Sequence, residues 1–162
     1  MVYAAARVAR DTRVHPVSDR IIAAAAARGA AATVAMSAPL AARWLARPGE
    51  APPPMAVAEN VQRTLGLEPK RYPRPLRHAA WLAAHLAFGS VIGAAAERWP
   101  GRAATATSAY AFGLFVWTAN YAIGLPSLRL YPSPLRDVRG RAAASLLSHL
   151  VYAGALRRLT PE

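Results

Sequence analysis

The sequence predicts an all-α integral membrane protein: a four-helix bundle built from two parallel helical-hairpin repeats. Three observations predict it. Four windows (29–42, 79–96, 103–128 and 142–156) contain no Asp, Glu, Lys or Arg. Aromatic residues and prolines gather at the edges of these windows, where chain leaves bilayer for water. Finally, the second and fourth windows align without a gap at an offset of 64 residues, the mark of an internal repeat.

The 162 residues suit one folded unit. Its organisation reads as a basic N-terminal arm over 1–25, a first transmembrane hairpin over 26–97 with an interfacial connection at 47–78, and a second hairpin over 98–162. The arm, MVYAAARVARDTRVHPVSDR at its start, lacks the charged-then-apolar order of a secretory signal and is expected to lie along the membrane surface or fray.

Spans are expected near 26–46, 79–97, 103–125 and 142–157. A span needs about 20 helical residues. The third window exceeds that length and the second nearly meets it, while Arg28, Arg43, Arg141 and Arg157 can snorkel and lengthen the first and last. Pro39 is expected to kink the first helix, and Gly124 with Pro126 to end the third. Trp44, Trp81, Tyr121 and Tyr131 fall toward one interface, Trp99 toward the other, and Trp117 deeper. Within the first connection, Met55, Ala58, Val61 and Leu65 follow helical spacing and predict a short interfacial helix. Of the 20 basic residues, 9 fall on the side of the termini and 11 on the side of the two long connections, so the positive-inside rule leaves orientation open.

The repeat pairs Arg77 with Arg141, Leu82 with Leu146, Phe88 with Tyr152, and above all His85 with His149. Each histidine lies eight residues after its arginine, so both sit roughly 12 Å below the same surface. If their faces turn inward, the imidazoles converge. Asn120 in the third helix is the other polar group expected to seek a partner inside the protein. GSVIG puts Gly89 and Gly93 at a spacing that lets a second helix approach closely, and Gly154 plays the same part in the fourth helix. RYPRPLRH and RDVRGR precede the second and fourth helices. They make Arg71, Arg74, Arg77, Arg136, Arg139 and Arg141 candidates for holding anionic lipid phosphates, in preference to nucleic acid.

Composition excludes a good deal. The chain carries 20 basic residues against 8 acids and no cysteine, so disulfides, thiolate metal sites and cysteine nucleophiles are absent. Apolar residues make up 54%, yet mean hydropathy is only +0.15, because alanine supplies so many of them. The sequence has no Walker loop, no GxSxG, no HExxH and no acid inside a charge-free window, so no catalysis is expected. Glu97 is expected to pair with Arg98 or Arg102.

HLAFG followed by ERWPG, a polar-flecked third helix ending in LP, and HLVYAGALRRL together resemble the YagU-like inner-membrane proteins of bacteria, from about residue 28 onward. The resemblance implies a multi-pass inner-membrane protein, with a link to acid tolerance in enteric bacteria and no defined biochemical activity. Three functions remain open on the residues. The first is an accessory or structural subunit in contact with anionic lipids and other membrane-protein subunits, without cofactor or metal. The second is a small transporter or proton-responsive protein using His85 and His149, and the third a membrane electron carrier holding haem b between the same two histidines.

Overall fold

The computed structural model describes residues 19–99 and 105–161, and every described regular element is helical. The helices are α1 (Asp19–Ala46), α2 (Pro53–Thr64), α3 (Arg74–Ala96), α4 (Ala106–Trp117) and α5 (Arg141–Leu159). A short 3₁₀ turn (Pro69–Arg71) leads into α3, and α4 runs on through a π-helical segment (Thr118–Gly124) to a last α turn (Leu125–Ser127). Most of the basic arm, residues 1–18, and most of the expected turn at 98–102 lie outside the described residues.

Two boundaries differ from expectation. Helix α1 starts at Asp19, inside the stretch assigned to the arm; Asp19 complements the helix N-terminus, and the alanines that follow favour helix strongly. Pro39 lies within α1, which ends at Ala46 as the first span was expected to. Gly124 and Pro126 do not end the third helix. The backbone widens into the π register ahead of Pro126, whose missing N–H could not have continued the ladder, and the helix closes at Ser127.

α1 and α3 are long and apolar enough to cross a membrane, and their most apolar windows are only 28% and 17% buried. The core helix of a water-soluble protein would hide such a window. Here Val34, Leu82, Val91, Leu114, Phe115 and Leu147 point outward.

α1 is central and packs against α3 and α5; α5 in turn packs against α4. The α1–α3 crossing is made by glycine. A methyl on Gly93 would stand 2.6 Å from both the Ala25 carbonyl oxygen and the Gly29 Cα, and a methyl on Gly29 would stand 2.8 Å from the Gly93 Cα. The backbones therefore touch directly. The α4–α5 pair repeats the device, since a methyl on Gly113 would meet the Ala153 Cβ and the His149 carbonyl, each at 2.8 Å. Ala32, Met36, Ala96, Phe112, Val116, Tyr152 and Leu156 form the core.

Trp99, just past the end of α3, meets α4. It packs edge-on to Phe112 and tilted against Phe115, both at 5.2 Å between ring centres. At the same end Arg28 of α1 donates to Glu97 at 2.7 Å, a partner the sequence did not suggest; Arg102, one of the two expected partners of Glu97, lies outside the described residues. Arg28 and Glu97 are both about four-fifths buried, whereas the Arg71–Glu68 pair is mostly exposed. Glu97→Ala is accordingly expected to lower the melting temperature of detergent-purified protein measurably, and Glu68→Ala to leave it within error.

Candidate functional site

Between α1, α2, α3, the π segment and α5 lies a cavity of about 400 Å³. α3 contributes Trp81, Ala84, His85 and Phe88 to its wall, the π segment Asn120 and Tyr121, and α5 Ser145, Ser148 and His149. Met36 and Leu40 of α1 close it behind, and Pro53, Val57, Val61 and Gln62 of α2 roof it. Among the described residues, no charged side chain lines it. A second void of about 10 Å³ lies beyond, and Met36, His85, Phe88 and His149 border both spaces, so these four side chains form the cavity floor.

The local sequence explains how each group arrives there. α3 begins on Pro73 and Pro75, which suit a helix start, and its close glycine contact with α1 fixes its rotation, turning His85 inward. Gly140, at φ +79, makes the left-handed turn into α5. One turn before His149, the Ser145 carbonyl lies 2.8 Å from its Nδ1; because a carbonyl only accepts, Nδ1 carries the proton, and Nε2 of the neutral ring is an acceptor. The π register carries Asn120 and Tyr121 onto the same space, in keeping with the frequency of such segments at functional sites. Two ring nitrogens of cavity residues, Trp81 Nε1 and His85 Nε2, are buried with no hydrogen-bond partner among the described residues. Most buried polar atoms find one.

Of the residues singled out from sequence, His85, His149 and Asn120 thus share one cavity. Gly89 and Gly93 sit at the α1–α3 crossing, while Gly154 lies apart and leaves room for the Tyr110 hydroxyl. The six arginines divide. Arg77 is ion-paired with Glu59 of α2, Arg141 with Asp137, and Arg71 with its exposed neighbour Glu68, so Arg77 and Arg141 spend their charge inside the protein instead of on lipid phosphate. Arg74, Arg136 and Arg139 stand exposed at the same end.

That end is tied together by polar contacts. Arg43 donates to Glu50 at 2.5 Å and to the Arg139 carbonyl at 3.1 Å, and Asn60 of α2 donates to the Leu130 carbonyl at 2.7 Å. Asp137, its side chain fully buried, accepts from the Tyr121 hydroxyl, from Arg141 Nε at 2.7 Å and from its neighbour's N–H at 2.7 Å. Tyr131 lies beneath the Arg141 guanidinium, 5.3 Å from its centre, and burial pushes the tyrosine hydroxyl up to about 12.

Sequence reasoning did not single out Trp81, Tyr121, Gln62 or Gly29 for these positions. The RGAAAT segment did carry a signal for Gly29, a small residue one helical turn before Thr33. Among the described residues, no group of three or more His, Cys, Asp or Glu side chains is gathered to hold a metal. No family model, curated protein or solved structure matches this chain.

Proposed function

We propose that this is a small multi-pass membrane protein, a four-helix bundle whose cavity between α3 and the π segment binds a small molecule without catalysing a reaction on it. The observation that carries the reading is the convergence of His85, His149 and Asn120 on one uncharged cavity. Pockets with apolar walls and a few convergent polar groups are ligand sites by their chemistry, whereas a purely structural subunit would have packed such a space shut.

Helix lengths support the membrane reading. Besides α1 and α3, the continuous helix 106–127 and the 19-residue α5 each reach roughly 30 Å at about 1.5 Å per residue. The glycine crossing in each of the pairs α1–α3 and α4–α5 supports a duplicated hairpin, because Gly89 and Ala153 stand at the same offset of 64 as the two histidines. Exposed Arg74, Arg136 and Arg139 suit anionic headgroups at a bacterial inner membrane, and the outward apolar faces suit lipid or other membrane subunits.

Convergence favours binding, and with it the transport or proton-responsive role, over a purely structural one. Haem b fits less well. Both histidines lie on the floor, and the space beyond them is about 10 Å³, far too small for the half of a porphyrin that axial ligation from both sides would place there. The expected spectrum of purified protein has no Soret band, before or after dithionite.

The absence of cysteine makes topology directly testable. Gly49→Cys and Leu135→Cys, at an uncrowded glycine and a fully exposed leucine, are expected to react with a membrane-impermeant maleimide from one face. Pro161→Cys is expected to react from the other. Labelling of all three from one face, or release of the protein by carbonate, would overturn the four-span reading.

A further inference from the structure

We propose that the cavity takes a quinone-type ligand, a flat neutral ring with two carbonyl oxygens and an isoprenoid tail, drawn from the bilayer. The inference rests on the binding role given above and names the ligand class.

Charge excludes much. With no arginine, lysine or carboxylate among the lining residues, and with Arg77 and Arg141 held in ion pairs, a fatty-acid carboxylate, a phosphate or an amine would enter without a counter-charge. The occupant is therefore neutral. It also carries an acceptor: Trp81 Nε1 is a buried donor without an acceptor among the described residues, and because indole N–H can only donate, an acceptor on the ligand would satisfy it. His85 Nε2, one turn along the same helix and likewise unpartnered, asks for a second polar atom nearby. The two rings lie 6.3 Å apart between centres, so both belong to the same stretch of cavity wall. Asn120 and the Nε2 of His149 add a carboxamide and an acceptor for the case in which the bound ring is a hydroquinone.

Shape points the same way. Trp81, Phe88 and Tyr121 give the walls three aromatic faces, and Tyr121 is itself stacked on Trp117, which holds its ring in place. Such walls prefer a flat π system to a branched glyceride. Entry is lateral. Ala84, Phe88 and Val61 line the cavity and are also exposed, and Ala84 and Phe88 belong to the outward, lipid-ready side of α3. The tail leaves by that route into hydrocarbon.

Intrinsic tryptophan fluorescence of the full chain in nanodiscs tests this. Titration with a decyl-substituted benzoquinone is expected to quench saturably, with decanoate and monodecanoyl glycerol as comparison ligands and a solvatochromic naphthylamine as a displaceable probe. His85→Leu is expected to weaken quinone binding about tenfold or more. Ala84→Trp, which plugs the mouth and leaves every polar group in place, is expected to abolish it; helicity and elution volume report that each variant folds. Quenching that rises linearly with quinone and ignores both variants overturns the proposal, as does displacement of the probe by the glyceride at equal or lower concentration than by quinone. In the second outcome the binding cavity stands and only the ligand class falls. If neither probe nor any ligand saturates, the binding role itself falls.

Discussion

Gly93→Leu is expected to prevent α1 and α3 from docking, and to leave a protein that unfolds in detergent at temperatures where the parent chain is fully helical. The reason lies in what the new side chain would meet. The first carbon alone comes within 2.6 Å of the Ala25 carbonyl oxygen and the Gly29 Cα, and backbone atoms of a helix cannot rotate away as a side chain does. The helices must separate, and with them go the contacts of Ala32 and Thr33, both fully buried. Overpacking a side-chain core costs about 1–3 kcal/mol. Forcing two helix backbones apart exceeds that, because a pair in backbone contact is held by close packing, which fades steeply with distance. Gly29→Leu is expected to behave alike. Gly49→Leu, with no atom within 4 Å of its first carbon, is the control and is expected to stay within about 0.5 kcal/mol. A Gly93→Leu protein that melts with the control would show that α1 and α3 do not rely on this crossing.

That crossing also shows what could be read in the residues and what could not. The GSVIG spacing marked Gly89 and Gly93 as a close-approach face, and the face is used within the chain. Its partner stayed hidden, because aligning RGAAAT with RAATAT placed Gly29 over an alanine, and a glycine in alanine-rich helix is a weak signal on its own. The histidines were legible as a pair: their gapless alignment and the cost of an unpaired imidazole in lipid made inward convergence the expectation, and both line the same cavity. The cavity was not legible. It is lined by residues of α1, α2, α3, the π segment and α5, and no local pattern encodes how elements so far apart in sequence come together. Ion pairing failed for a related reason: Arg77 meets Glu59 and Arg28 meets Glu97 across long sequence separations, so arginines that look ready for lipid are consumed by acids from other elements.

Asp137→Ala is expected to cost about 3 kcal/mol or more, the largest loss from any single polar change outside the helices' crossing points. The carboxylate is fully buried and holds three donors at once: the Tyr121 hydroxyl, the Arg141 guanidinium and the Val138 N–H. Through them it ties the π segment to the start of α5, the two elements that bring Asn120 and His149 to the cavity. Removing it strands Arg141, itself 14% exposed, with only the Tyr131 face and a long contact of 3.5 Å to the Ala51 carbonyl. Stranding one member of a buried pair is what makes such changes expensive, and it separates two accounts of the loss. If the orphaned charge dominates, Asp137→Ala combined with Arg141→Leu should be more stable than Asp137→Ala alone, and Asp137→Asn should fall between parent and Ala because the amide keeps one acceptor for Tyr121. If the tie to Tyr121 dominates, Tyr121→Phe should reproduce most of the loss, beyond the roughly 1.5–3 kcal/mol of one hydrogen bond to a charged group. The double variant should then recover nothing. Thermal melts of these four proteins, with saturable quinone quenching as a second readout, decide between the accounts: the cavity is built on this carboxylate only if binding weakens in step with stability in the single variants and returns with it in the double.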